Sequence, residues 1–283
     1  MSASHGLSFL APAKLNISLK VFGRRPDGYH NIRTVMVPVT LYDEVTVEEA
    51  PSGISVEAND PGVPADARNI CHKAAALFME RAGAPRGVRI RIRKRIPREA
   101  GLGGGSSDAA ATLKGLLALT EWNPPGGAMM EIASRVGADV PFFALGRPAL
   151  AEGFGDVLTP VRWDVPFFAA IVKPPFGLPT REGYERLGRG SGGPPGRLKT
   201  PSFRTWDDVA GAVENDFEAA WGNDRPEIGR IKEGLRAAGA EGAGLTGSGS
   251  AVFGLFRTET EARRALGALP PEDGLERFLA RNI

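Results

Sequence analysis

Four glycines in five positions, Gly101-Leu102-Gly103-Gly104-Gly105, run into Ser106-Ser107-Asp108 and then into the Ala/Leu-rich stretch Ala109 to Leu119. The composition of that stretch predicts a helix over 109–119, with Ser106, Ser107 and Asp108 as cap residues at its start. Glycines keep side chains out of the way, so backbone N–H groups can wrap an anion. The helix that follows adds its orphan N–H groups and the positive end of its dipole. A phosphate cradle is one reading of this run and a tight strand-to-helix turn without a ligand is the other. The loop is not a Walker A motif, because no Lys follows it, and it is not the dinucleotide fingerprint, because Ser106 and Asp108 stand where the third glycine would be needed. A G-x-G-x-x-G does occur at Gly242 to Gly247, but it runs from a helix into a strand, the reverse of the dinucleotide context.

At 283 residues the chain has room for two modest domains or one large one. Hydrophobic residues make up 42% and charged residues 24%, which excludes a predominantly disordered chain. The formal net charge of +2 gives no overall field that would favour nucleic acid or an anionic membrane. A lone Cys71, with His5, His30 and His72, offers neither an intrachain disulfide nor a structural zinc cluster. Ala11-Pro12-Ala13-Lys14 breaks the single apolar candidate near the N-terminus, and no apolar run approaches the roughly 18 residues of a membrane span. A cytoplasmic protein without membrane or nucleic-acid partners is expected.

Along the chain, Ile17 to Val21, Thr34 to Val39, Val45 to Val47 and Gly53 to Val56 read as strands, with a turn at Arg25-Pro26-Asp27-Gly28. Asn69 to Arg81 reads as a helix capped by Asp66 or Asn69 and stopped by Gly83. Val88 to Arg93 alternates strictly, with aliphatics on one face and arginines on the other. Further helices are expected at Met129 to Val136, Trp206 to Trp221, Glu227 to Ala238 and Glu259 to Leu266, and further strands at Val165 to Lys173 and Ala251 to Phe256. Punctuation between Pro160 and Pro166 marks a domain boundary, giving 1–162 and 163–283. Gly188 to Pro201 is the most linker-like stretch, expected as a mobile surface loop and an early protease target.

Four other places could carry chemistry. Leu245-Thr246-Gly247-Ser248-Gly249-Ser250 is either a tight connection or a backbone wall closing over a phosphate or substrate. Asp139 follows a helix C-terminus, where an anion opposes the dipole, and sits among apolar residues; it is a turn residue or a general base. Lys14 opens an apolar strand, either as a solvated edge residue or as a buried cation facing a carboxylate. Asp27-Gly28-Tyr29-His30-Asn31 is a hairpin turn or a place for a base to stack and bond. The arginine stripe from Arg89 to Arg95 suits a solvated sheet face, or an RNA surface on a binding module.

Taken together, Ala11-Pro12-Ala13-Lys14-Leu15-Asn16, Gly23-Arg24-Arg25-Pro26-Asp27-Gly28-Tyr29-His30, the run Gly101 to Asp108, Gly137-Ala138-Asp139-Val140-Pro141-Phe142-Phe143 and Thr246-Gly247-Ser248-Gly249 resemble the GHMP kinase superfamily over nearly the whole chain. The glycine loop points to the superfamily, which includes galactokinase, homoserine kinase and mevalonate kinase. The segment Asp27 to His30 resembles its branch with a cytidine-bearing substrate. The resemblance implies an α+β, two-domain fold: an N-terminal domain like domain 2 of ribosomal protein S5, a ferredoxin-like C-terminal domain and an active site in the cleft between them.

By the same likeness ATP phosphates lie on Pro97-Arg98-Glu99-Ala100-Gly101-Leu102-Gly103-Gly104-Gly105-Ser106-Ser107, with Mg²⁺ accompanying the nucleotide. Asp139 matches the general base and Lys14 the cation paired with it. Asn16, Tyr29 and His30 match substrate contacts, the cytosine lying against Tyr29 with His30 bonding to its edge. Thr180 and Tyr184 look like the second domain's contribution, Tyr184 sandwiching the base. The implied reaction is phosphoryl transfer from ATP to the 2-hydroxyl of 4-diphosphocytidyl-2-C-methyl-D-erythritol, giving the 2-phosphate and ADP, in the non-mevalonate route to isoprenoid precursors. Another small-molecule kinase of the superfamily is the runner-up. Two departures stand out: Glu152 in Ala151-Glu152-Gly153-Phe154-Gly155, where many relatives have Arg, and the long Gly188 to Pro201 loop.

Overall fold

The structure is a computed structural model that describes residues 6–82, 87–120, 122–193 and 199–283. Among them the chain runs β1 (Leu7–Arg24), β2 (His30–Glu49), β3 (Gly53–Ala58), α1 (Ile70–Ala82), β4 (Gly87–Arg93), α2 (Gly104–Leu119), α3 (Ala128–Val136), α4 (Val140–Leu145), β5 (Ala149–Glu152), β6 (Val157–Pro160), β7 (Arg162–Trp163) and β8 (Phe168–Lys173). It continues through α5 (Thr180–Leu187), β9 (Ser202–Phe203), α6 (Trp206–Ala210), β10 (Glu214–Asn215), α7 (Phe217–Trp221), α8 (Pro226–Ala237), β11 (Gly242–Leu245), β12 (Val252–Phe256), α9 (Glu259–Ala268) and β13 (Glu276–Arg281). The mixture of helix and strand is the expected α+β class.

Contacts sort the chain into two interleaved compact units: 1–13, 42–96 and 103–146 in one, and 14–41, 97–102 and 147–283 in the other. In the first unit the end of β2 pairs antiparallel with β4, and β4 pairs parallel with β3. The alternation read in β4 is present: Val88, Ile90 and Ile92 are buried, and the arginines face out. Across the ladder Glu48 takes Arg89 at 3.2 Å and Arg91 at 2.9 Å, so a carboxylate partly neutralises the stripe on a solvated face. The Asn69 side chain caps α1 by accepting the Cys71 N–H at 2.8 Å, while Gly83, the expected stop, lies outside the described residues. Helix α2 lies so close to β2 that a Cβ on Gly115 would press to 2.6 Å from Val47 Cγ2.

The second unit holds an antiparallel sheet in the order β11-β12-β8-β13. Helices α8 and α9 bury Ile228, Ile231, Leu235, Ala262 and Ala265 in the same core as Ala170 and Val172 of β8. The predicted single helix Trp206 to Trp221 is in fact α6 and α7 with β10 between them. Asn215 breaks it, because its buried side chain donates to the carbonyls of Leu245 and Gly247, at 2.7 and 2.9 Å, and accepts the Phe217 N–H. Strands β11 and β13 escape the pattern reading, β11 because Gly-Ala-Gly carries little apolar signal. Of the expected mobile loop, residues 194–198 lie outside the described set, and its beginning is docked: Arg24 N–H donates to Gly190 O at 2.9 Å.

Candidate active site

Lys14 lies within β1, not at its start, and is 4% exposed. Two residues on, Asn16 faces the same side of the strand. The Lys14 ammonium donates to Asn16 Oδ1, which also accepts the Gly247 N–H at 2.8 Å. Asn16 Nδ2 donates to Thr34 Oγ1 at 2.7 Å, and the Asn16 N–H donates to Thr246 Oγ1 at 3.1 Å. A buried ammonium is costly unless it is hydrogen-bonded, and this polar knot is what makes a lysine tolerable there. It excludes the solvated edge role.

The knot also joins the two glycine clusters that look separate in the sequence. Ala251 N–H donates to Ala100 O at 3.1 Å, Ser250 N–H to Glu99 O at 3.3 Å, and Lys14 N–H to Leu102 O at 3.0 Å. Gly101, at φ 74°, backs onto Thr246 so closely that any Cβ would collide with its carbonyl oxygen. Glu99 is the one non-glycine residue with positive φ among those described, at 53°, a strained setting inside the candidate phosphate loop.

In the other unit α2 begins at Gly104, with Gly103 at φ 73° as its N-cap. Ser106, Ser107 and Asp108 are therefore inside the first turns and not caps, because the glycines themselves take up the helix. The first N–H groups of α2 have no carbonyl one turn back, the requirement for holding an anion. Ser107 is 1% exposed and its Oγ is buried without a partner. Asp139 occupies the N-cap position of α4, a short helix that the sequence reading missed. An acid there agrees with the dipole of α4, which corrects the expectation of a residue at odds with its surroundings. Its carboxylate makes no side-chain capping bond, so it is not spent on the helix.

Tyr29, His30, Thr180 and Tyr184, proposed from distant parts of the sequence, line one cavity of 570 Å³ in the second unit, together with Phe154 and Arg24. Tyr29 is 62% exposed and its ring centroid is 5.4 Å from that of Phe154. Thr180 and Ser248 hydroxyls are 2.8 Å apart. The His30 ring lies flat on Tyr184, 4.8 Å between centroids and 8° between planes, too close for a base between those two rings. Burial, with Arg24 nearby, lowers the His30 pKa and favours the neutral imidazole, which can both donate and accept. Phe154 was not singled out from sequence, although an aromatic between two glycines, Gly153 and Gly155, was a usable signal. Glu152 ion-pairs with Arg33 at 2.5 Å, so an acid at this departure from the family pattern has its own counter-ion. Among the described residues no three His, Cys, Asp or Glu side chains converge as a metal cage.

Family models described as GHMP kinases N terminal domain and GHMP kinases C terminal match residues 69–147 and 206–274. The chain is 44% identical to the 4-diphosphocytidyl-2-C-methyl-D-erythritol kinase of Geobacter metallireducens over 92% of each chain. It is 41% identical to the enzyme of the same name from Geobacter sp. over 98% of this chain and 99% of that one. A crystal structure of 4-(cytidine 5'-diphospho)-2C-methyl-D-erythritol kinase superposes with a TM-score of 0.79 at 36% identity, covering 98% and 99% of the two chains. Homoserine kinase from Cytophaga hutchinsonii shares the fold, with a TM-score of 0.75 at 17% identity.

Proposed function

Because the chain belongs to the 4-diphosphocytidyl-2-C-methyl-D-erythritol kinase family of GHMP kinases, we propose that it transfers the terminal phosphoryl group of ATP to the 2-hydroxyl of 4-diphosphocytidyl-2-C-methyl-D-erythritol, a step of isoprenoid precursor synthesis. ATP is the phosphate donor of this family. The observation that carries the choice of substrate is the cavity in which Tyr29, His30, Thr180 and Tyr184 converge. It has aromatic faces for a base and a neutral imidazole for its edge.

Catalysis of this kind is mostly positioning and charge stabilisation. Asp139 takes the proton of the acceptor hydroxyl as its oxygen bonds to the γ-phosphorus and the bond to the ADP oxygen breaks. Lys14 offsets charge on the transferring group, and Asn16 holds Lys14 in place and contacts the substrate. Backbone N–H groups of Gly101 to Ser107, flanked by Pro97 to Ala100, hold the nucleotide's phosphates. Mg²⁺ accompanying the nucleotide would be held by the phosphate oxygens and would offset their charge. Residues 1–162 and 163–283 are the two domains in this reading, one family-model match falling in each. A cytoplasmic location fits a small soluble substrate; no described helix is long and apolar enough to cross a membrane.

His30 already covers a face of Tyr184, so in this reading the base stacks against Tyr29, with Tyr184 supporting the His30 ring. Tyr29→Ala removes one stacking platform, worth about 1–3 kcal/mol, and should raise the KM for the cytidyl substrate about tenfold or more. The KM for ATP should change by less than about twofold, because the loop that holds it is built from other residues. Steady-state kinetics with each substrate varied in turn gives the answer; equal rises in both constants would contradict the stacking role.

A further inference from the structure

The Lys94 ammonium stands between two carboxylates inside the unit that carries α2. It donates to Asp43 Oδ2 of β2 and, at 2.7 Å, to Asp108 Oδ2 of α2. Asp43 is fully buried, and its Oδ1 accepts the backbone N–H groups of Arg95 and Ile96 at 2.5 and 2.8 Å, so both of its oxygens are engaged. Asp108 is 3% exposed and its Oδ1 is buried with no partner. A Cβ built on Gly104 would stand 3.1 Å from Lys94 Nζ, which puts the cluster against the first residue of α2.

We infer that Asp108 is a positioning residue for nucleotide binding: through Lys94 it anchors the first turns of α2, and it does so as the neutral acid, leaving no net charge beneath the phosphate-binding start of that helix. The inference rests on the nucleotide phosphates lying at this start. One ammonium cannot compensate two ionised carboxylates, and a low-dielectric interior resists the leftover negative charge. The proton belongs on Asp108, because Asp43 has a donor on each oxygen and Asp108 has one oxygen with none. Burial, opposed by Lys94 and reinforced by Asp43, pushes Asp108 up to about 8. Burial works against the Lys94 ammonium too, but Asp108 and Asp43 outweigh it and push its pKa up. The facing titratable group from α1 is the Cys71 thiol, which burial pushes up, so it stays neutral.

The sign follows from these directions. In the unfolded chain Asp108 ionises near pH 4, so the stability that its neutral form lends the fold is complete below that pH and is lost as pH rises from about 4 through about 8. Above about pH 8 the same ionisation sets a negative charge under a helix start that must attract phosphate, and ATP should bind less well. Asn in place of Asp108 keeps the acceptor for Lys94 and cannot ionise.

The test is the ATP KM of the wild type, Asp108→Asn and Ser107→Ala at saturating second substrate from about pH 6.5 to about pH 9.5, with thermal melts of each protein. The wild-type KM should rise about fivefold across that range, Asp108→Asn should stay flat within about twofold, and its melting temperature should gain on wild type up to about pH 8. Ser107→Ala removes an unpartnered hydroxyl and should raise the ATP KM several-fold without lowering the melting temperature. If Ser107→Ala leaves the ATP KM unchanged, nucleotide binding at this helix start falls and the inference with it. If Ser107→Ala raises it and Asp108→Asn keeps the wild-type alkaline rise, or wild type shows none, the positioning role alone is overturned.

Discussion

Asp139→Asn is expected to cut turnover about a thousandfold, in the middle of the range for a lost general base, with nucleotide binding close to wild type. The substitution is nearly isosteric and removes only the ability to take a proton. Asp139 sits at the N-cap of α4 without a side-chain capping bond, so its loss should cost the helix little. Fluorescence titration with a nucleotide analogue checks binding, and a single-turnover quench experiment checks chemistry apart from product release. A single-turnover rate within about tenfold of wild type would remove Asp139 from the proton transfer.

Lys14→Met carries the second large effect, a loss of about a hundredfold or more in kcat, the scale of one missing electrostatic contact to a transition state. Met fills similar volume, and Asn16 Oδ1 keeps the Gly247 N–H as a donor. Replacing a buried charge by an apolar chain of similar volume should leave the melting temperature near wild type or above it. Thermal melts and kcat measured on the same preparation separate the two roles of Lys14. A purely structural lysine predicts a lower melting temperature with kcat preserved, and that outcome would contradict the account.

How much of this was legible in the sequence depended on which physical signal each residue carried. Strand β4 announced itself because alternation is local, and its arginines found Glu48 across the ladder. Helix α1 was legible to within a residue at its start, and of the two candidate caps, Asp66 and Asn69, it is Asn69 that accepts a first-turn N–H. The start of α2 was not legible: glycine scores as a helix breaker, yet Gly104 and Gly105 are helical, and a side chain at 104 would meet Ile96 and Lys94. Helix α4 was hidden by its length of six residues and by Pro141 at its first turn. The split between α6 and α7 depends on Asn215 reaching residues some thirty positions away, which no window contains.

The site divides in the same way. Lys14 could be picked out as a cation in an apolar strand and Asn16 came from motif likeness, but the tie of Asn16 to Thr246 spans 230 positions and belongs to the fold. Tyr29 and His30 could be read locally as a turn or a place for a base, Thr180 and Tyr184 came from motif likeness, and their convergence on one cavity is a tertiary fact. Lys94 drew no attention beyond its place in a basic stripe, because its role depends on two carboxylates brought to it by β2 and α2.

The most direct measurement is mass spectrometry of the purified protein with Mg·ATP and, in separate tubes, 4-diphosphocytidyl-2-C-methyl-D-erythritol, mevalonate, homoserine and galactose. The account predicts one phosphorylated product, from the cytidyl substrate alone, with the new phosphate on its 2-hydroxyl. Product from another tube in place of that one, or no product in any tube, would contradict it.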